Sequence, residues 1–204
     1  MNTKSENYHH GDLRQSLITQ ASHTIENNGI ASLSMRKLGE LLGVSRSALY
    51  HHFKGKQDLL SAIAEQGFTE WKAVVESIFH KNDCTDNEKL RLYVHQYLNF
   101  AQQHKATYEL MFGKEIWIKG IQSKSLKDIA YQCFDYHVNL IKKWQTQQVI
   151  SSEHDALRVA QVTWSTLHGL AKLFNDGIYS DAKNIEPICE TAVLLFQGSM
   201  KPNL

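Results

Sequence analysis

Apolar positions recur along this chain at intervals of three and four. Leu13, Leu17, Ala21 and Ile25 step by four, and Ile18 widens the stripe. Leu126, Ala130, Cys133, His137, Ile141 and Trp144 repeat the spacing, and a broader stripe runs from Ala156 through Ala160, Trp164, Leu167 and Ala171 to Phe174. No stretch of four or more residues alternates cleanly at period two, so the pattern predicts an all-α protein. Turn residues mark the breaks. Asn27-Asn28-Gly29 ends the first helix, Ser34 can cap a short second one that stops at Gly43, and Ser45 can cap a third ending near Phe53-Lys54-Gly55. A longer helix is expected over 57–80. Others are expected over 87–104, 106–112, 124–148, 154–175 and 185–198, the last with Pro187 in its first turn, where the missing amide costs little. That makes about nine helices, with no internal repeat.

Charge sharpens this picture only locally. The 204 residues carry 22 lysines and arginines against 21 acidic residues, a net +1 that argues against a wholesale polyanion binder. Through residue 60 the balance is +2, and between Glu40 and Asp58 there is no acid, while Arg46, Lys54 and Lys56 are present. The longest apolar run, Ala192 to Phe196, is five residues, far below the roughly 20 of a membrane span. The polar start predicts no secretory signal, hence a cytoplasmic protein without membrane partners. Cys84, Cys133 and Cys189 fit no metal or redox spacing and are expected as reduced, largely buried thiols.

The segment from Ser34 to Phe53 carries the candidate chemistry. Two short helices flank Gly43. Met35, Leu38, Leu41 and Leu42 are expected to form the inner face of the first, and Val44, Ala48, Leu49 and Phe53 that of the second. Gly39 allows close approach of the two, and Gly43 suits a left-handed turn. This is the layout of a helix-turn-helix, whose second helix enters the major groove. Its outer face would present Ser45, Arg46, Ser47, Tyr50 and His51, groups that bond phosphates and base edges.

On these residues the segment 11–60 resembles the DNA-binding domain of the TetR family of bacterial transcriptional regulators. The matching features are Asn27-Asn28-Gly29, Leu33-Ser34-Met35-Arg36-Lys37-Leu38, Gly43-Val44-Ser45, Ala48-Leu49-Tyr50 and Phe53-Lys54-Gly55-Lys56, with Leu59-Leu60 following. Trp164-Ser165-Thr166-Leu167-His168-Gly169 is similar to a tryptophan-then-histidine-glycine motif in the ligand domain of one subgroup. The resemblance implies a DNA-binding domain over 10–58 joined by a long helix to a ligand-binding and dimerisation domain over 59–204. It implies a homodimeric repressor on a near-palindromic double-stranded operator, released by a small-molecule inducer, with no cofactor. It also assigns phosphate contacts to Ser34, Tyr50 and Lys56, and places Arg36 where some members of the family read a base. Recognition-helix positions fall to Ser45, Arg46, Ser47 and His51.

Other residues invite other chemistry. Eleven histidines raise a metal site, but no His-Glu-x-x-His pattern exists, and His9-His10 precedes the first helix. No metal site is therefore expected. An enzyme reading finds no nucleophile–base spacing and no phosphate loop. A helical adaptor that lost DNA binding is disfavoured by the polar, basic outer face of residues 45–51. Aromatic residues beyond residue 100 are mostly expected in the core. Trp71, Tyr108, Phe112, Tyr131, Phe134, His137, Trp164 and His168 are the candidates to line a ligand cavity.

Overall fold

The computed structural model describes residues 13–117, 122–179 and 185–198, and every regular element among them is helical. The order is α1 (Leu13–Asn28), a 3-10 turn (Ile30–Ser32), α2 (Met35–Leu41), α3 (Arg46–His52), α4 (Lys56–Phe79), α5 (Asp86–Gln103), α6 (Lys105–Phe112), α7 (Lys114–Trp117), α8 (Lys124–Thr146), α9 (Ala156–Asn175) and α10 (Ile185–Gln197). The nine expected helices are all present within two residues of their predicted ends, and α7 adds a single turn. His9 and His10 lie outside the described residues.

Starts are fixed by local chemistry. Thr85 and Glu88 form a reciprocal capping box on α5, the Thr85 amide donating to Glu88 Oε2 at 2.7 Å. Asp155 accepts from the amides of Leu157 and Arg158 at the start of α9. Ser34 stands at the N-cap of α2 in an extended conformation, yet its hydroxyl makes no capping bond.

The packing forms two compact units, and α4 contributes to both. The first holds the described residues through Gly67 together with those of 106–127. Leu17, Ile18 and Ala21 of α1 are buried there with Leu38, Leu49, Phe53, Leu59 and Ile63. Gly39 is buried between α2 and α3, where a methyl group would sit 3.5 Å from Leu49 Cδ1. Gly43 turns at φ +63°, a conformation L side chains avoid. Leu41 departs from the expected inner face: it is 64% exposed, because α2 is only two turns long and buries only one narrow side.

Gly67 has a use that helix periodicity does not reveal. A methyl group there would lie 2.6 Å from Thr107 Cγ2 and 2.7 Å from Met111 Sδ, both on α6. Glycine lets α6 lie directly on α4. Gly67→Ala gains roughly 1 kcal/mol of helix propensity but overpacks a contact, which costs about 1–3 kcal/mol. Met111 can bend away, whereas the β-branched Thr107 is stiff. A net loss of about 1 kcal/mol in urea unfolding is expected; equal or higher stability would mean that α6 yields freely.

The second unit holds 68–105 and the described part of 128–204. α5 packs against both α9 and α10, and Leu90, Val94, Leu98, Ala160, Leu167, Ala171 and Cys189 are fully buried. The Lys105 ammonium donates to the Asn175 carbonyl, and Asn175 Nδ2 donates to Ala101 O at 3.1 Å. Leu167, Phe174 and Ala192 face this core, while the apolar residues that α9 and α10 leave outside are Leu157, Val162 (65% exposed), Leu194 (45%) and Leu195 (48%). Gly169 has nothing within 4 Å of a methyl group placed on it, so its flank is open.

Candidate nucleic-acid interface

α3 begins because Ser45, in extended conformation, accepts the Ala48 amide on its Oγ at 3.1 Å. The Ser47 hydroxyl lies 3.0 Å from the same oxygen. The Arg46 guanidinium lies over the Tyr50 ring, 5.5 Å from its centroid, as the i, i+4 spacing of a helix allows. Ser45, Arg46, Ser47, Tyr50 and His51 are all exposed. His52 is half-buried with its ring edge-on to His51, 5.4 Å between centroids. The outer face of α3 therefore carries hydroxyls, one planar cation and two flat polar rings, with no acid among its seven residues.

The flanking candidates are held differently. Arg36 pairs with Glu40 at 2.8 Å on the exposed side of α2. Such a surface pair is weak and readily exchanged for a phosphate. A groove of about 470 Å3 runs between Arg36 and Glu40 on one side and Arg46 and Tyr50 on the other. The Lys56 ammonium donates to the Ile30 carbonyl of the 3-10 turn at 2.7 Å. Lys54 contributes its amide to Asp58 Oδ2 at 2.9 Å, which fixes the entry into α4.

The eight ligand candidates are divided between the units. Tyr108 and Phe112 belong to the first, their rings 4.9 Å apart, with Tyr108 fully buried. In the second, Trp71 meets Tyr93, Tyr97 and Phe100 at 5.1–5.7 Å. The Tyr93 ring stacks on His137 at 5.3 Å, and Phe134 joins Trp164, which neighbours His168 at 5.8 Å. Tyr131 is 67% exposed, turned outward on α8. Tyr93, Tyr97 and Phe100 are partners that residue type and spacing did not single out. A cavity beside Trp71, Tyr93, Cys133 and His137 has a volume of about 10 Å3, room for one water. A larger molecule has to part these side chains. The Cys133 thiol donates to Phe68 O, and burial pushes it up to about 11, so it stays protonated.

The second unit also holds a polar group that the sequence did not announce. His95 of α5 stands between Glu186 and Glu190 of α10, and Arg91 Nε meets Glu190 Oε1 at 2.7 Å. Hydrogen bonds from Arg91 and then His95 hold the Glu190 carboxyl below the usual carboxylate range. The i, i+4 pairs Arg91/His95 and Glu186/Glu190 are the available sequence signal, but nothing local shows that two helices 95 residues apart bring them together.

Comparison with known proteins places this arrangement. Residues 17–63 match the family description "Bacterial regulatory proteins, tetR family", and residues 90–196 match "Tetracyclin repressor-like, C-terminal domain". The chain is 43% identical over 56 residues to the class C tetracycline repressor protein of Escherichia coli, a match spanning 28% of this chain and 26% of that one. It is 24% identical over 131 residues to the HTH-type transcriptional activator FasR of Mycolicibacterium smegmatis, covering 64% of this chain and 59% of FasR. A solved structure of a protein of unknown function from Rhodococcus sp. RHA1 superposes with a TM-score of 0.83 at 29% identity, covering 96% of this chain and 99% of that one. The family consists of regulators rather than enzymes, and no described helix is long and apolar enough to cross a membrane. With a helix-turn-helix matched at one end and the C-terminal domain over more than half its length, the chain belongs to the TetR family of DNA-binding transcriptional regulators.

Proposed function

We propose that this regulator is a cytoplasmic homodimeric repressor that binds a near-palindromic double-stranded operator and leaves it when a small molecule binds. The observation that carries the DNA reading is the outer face of α3, where Arg46 is stacked on Tyr50 between exposed hydroxyls and no acid intervenes. In this reading residues 10–58 bind DNA and 59–204 bind the inducer and the second protomer. Arg46, Ser47 and His51 meet base edges; Ser34, Tyr50 and Lys56 meet phosphate; Arg36 exchanges Glu40 for the operator. The uncapped hydroxyl of Ser34 suits that role. The repressor sign follows the tetracycline repressor relative, and FasR, an activator by name, marks the other outcome of a reporter assay.

The test is a gel shift on the DNA flanking the regulator's own gene, titrated with salt. Lys56→Ala is expected to weaken binding about equally on all sequences and to lower the salt slope by about one unit. Arg46→Ala is expected to change the ranking of operator variants, each lost base contact being worth roughly 1–3 kcal/mol. Unchanged relative affinities would remove Arg46 from the base-reading set.

For the inducer, Trp71, Phe134, His137, Trp164 and His168 are the proposed contacts in the second unit, with Tyr131, Tyr108 and Phe112 the outlying candidates. The tryptophan-histidine-glycine motif falls among them. α4 is one helix of 24 residues shared by both units, about 36 Å at 1.5 Å per residue. A ligand that favours the DNA-incompetent arrangement shifts the population through it. A coupling of about 3 kcal/mol weakens operator binding roughly 150-fold. Trp164→Ala is expected to abolish this response while operator binding survives.

A further inference from the structure

His95 of α5 brings both ring nitrogens to acids of α10. Its Nδ1 lies 3.4 Å from Glu186 Oε2 and its Nε2 lies 3.3 Å from Glu190 Oε1. Arg91 Nε also meets Glu190, 2.7 Å from Oε1 and 3.0 Å from Oε2. One imidazole and two carboxylates from two packed helices are thereby gathered in one place.

We propose that His95, Glu186 and Glu190 form a binding site for a divalent transition cation of the zinc class, which clasps α5 to α10. One donor atom from each residue lies within 4.8 Å of the other two. Bonds of about 2.0–2.2 Å to imidazole and carboxylate in a tetrahedron require donors roughly 3.4 Å apart. The gap to close is small and falls on Glu186, whose side chain is 72% exposed and free to swing. Glu186 and Glu190 are one turn apart on the same side of α10, and α5 packs against that helix to bring the imidazole between them. A mixed nitrogen and oxygen set suits zinc, nickel or copper better than magnesium or calcium. Three protein ligands leave a position for water. The site is independent of the operator reading and does not depend on it.

The test titrates chelator-stripped full-length protein with ZnCl2 by calorimetry and follows Co2+ in place of Zn2+ by visible absorption. The wild type is expected to bind one saturable equivalent per chain that His95→Ala lacks. Glu186→Gln, an exposed change that leaves the fold intact by circular dichroism, is expected to weaken that equivalent at least tenfold. His51→Ala is expected to retain it. Zinc-edge absorption should fit one imidazole among oxygen ligands, with no sulfur. Zinc binding that is unchanged in Glu186→Gln and His95→Ala, a thiolate shell, or no binding by the wild type would each overturn the assignment.

Discussion

Leu195→Asp is expected to leave each protomer folded and to abolish dimerisation and operator binding together. Leu195 is half exposed in the protomer, beside Leu194 on α10, and Val162 is an exposed apolar residue of α9. Gly169 on α9 has an open flank as well, which is what a helix from a second copy would fill. Burying an unpaired carboxylate in such an interface costs several kcal/mol, and each 1.4 kcal/mol is tenfold in the dimer constant. The protomer itself loses little, because the residue is not in its core. Operator binding falls further than any single contact explains, since joining two half-site readers raises avidity by about 10²–10⁴. Sedimentation at micromolar concentration and a gel shift on the same preparation check both halves. A wild type that sediments as a monomer would rule out the proposed interface. The matched control is Leu167→Asp, at a position fully buried in the protomer, which is expected to unfold the second unit rather than split a dimer.

The second large effect concerns pH. His137 is buried, and its bonds fix the tautomer. The Thr163 hydroxyl donates to Val159 O at 2.9 Å, so its lone pair is free to accept. The Ala160 carbonyl can only accept. Nε2 therefore carries the proton, facing Ala160 O at 3.2 Å and Thr163 Oγ1 at 3.1 Å, and Nδ1 accepts from the Tyr93 hydroxyl at 2.9 Å. Burial lowers the His137 pKa to about 4 from 6.5. Above pH 6.5 neither the folded nor the unfolded ring is charged, and the full stability is present. As pH falls from 6.5 to 4 the unfolded chain takes up a proton that the folded chain refuses, so stability is lost at about 1.4 kcal/mol per unit, about 3 kcal/mol in all. His137→Gln removes this titration at some cost in hydrogen bonding near neutrality. Its unfolding free energy is expected to approach that of the wild type between pH 6.5 and pH 4. A constant difference across that window would show that the ring ionises in place.

The helices were legible because a stripe at three and four residues has one interpretation at this length, and the recognition helix because Gly43 marks the turn before it and Ser45 its cap. What the stripe does not encode is which of two apolar sides of a helix meets its own chain. Leu167 and Phe174 point inward and Val162 outward, and the sequence offers all three alike. Leu41 was assigned to a core that α2 is too short to reach around. Nothing around Gly67 in α4 signals its packing role, because its neighbours Thr107 and Met111 are some 40 residues away. The aromatic candidates were identified by residue type, and type alone does not separate Tyr131 on the surface from Trp71 among Tyr93, Tyr97 and Phe100. His95 with Glu186 and Glu190 was invisible for the same reason: contacts between distant helices are set by packing, and periodicity carries no address.

The bond from Lys56 to Ile30 has a kinetic side. A lysine on a bare helix end samples many rotamers, and only the fraction pointing at the phosphate is competent, so the apparent affinity is reduced by that fraction. Here the 3-10 turn after α1 holds the side chain in one direction before any DNA arrives. Of the three ammonium donors one is spent on the carbonyl, and two remain for phosphate oxygens. In the proposed operator complex Lys56 enters with its side chain already ordered, so its share of recognition is expected in the association rate. Loosening the turn, 26 residues upstream in sequence, is then expected to slow capture without touching any residue proposed to meet the DNA.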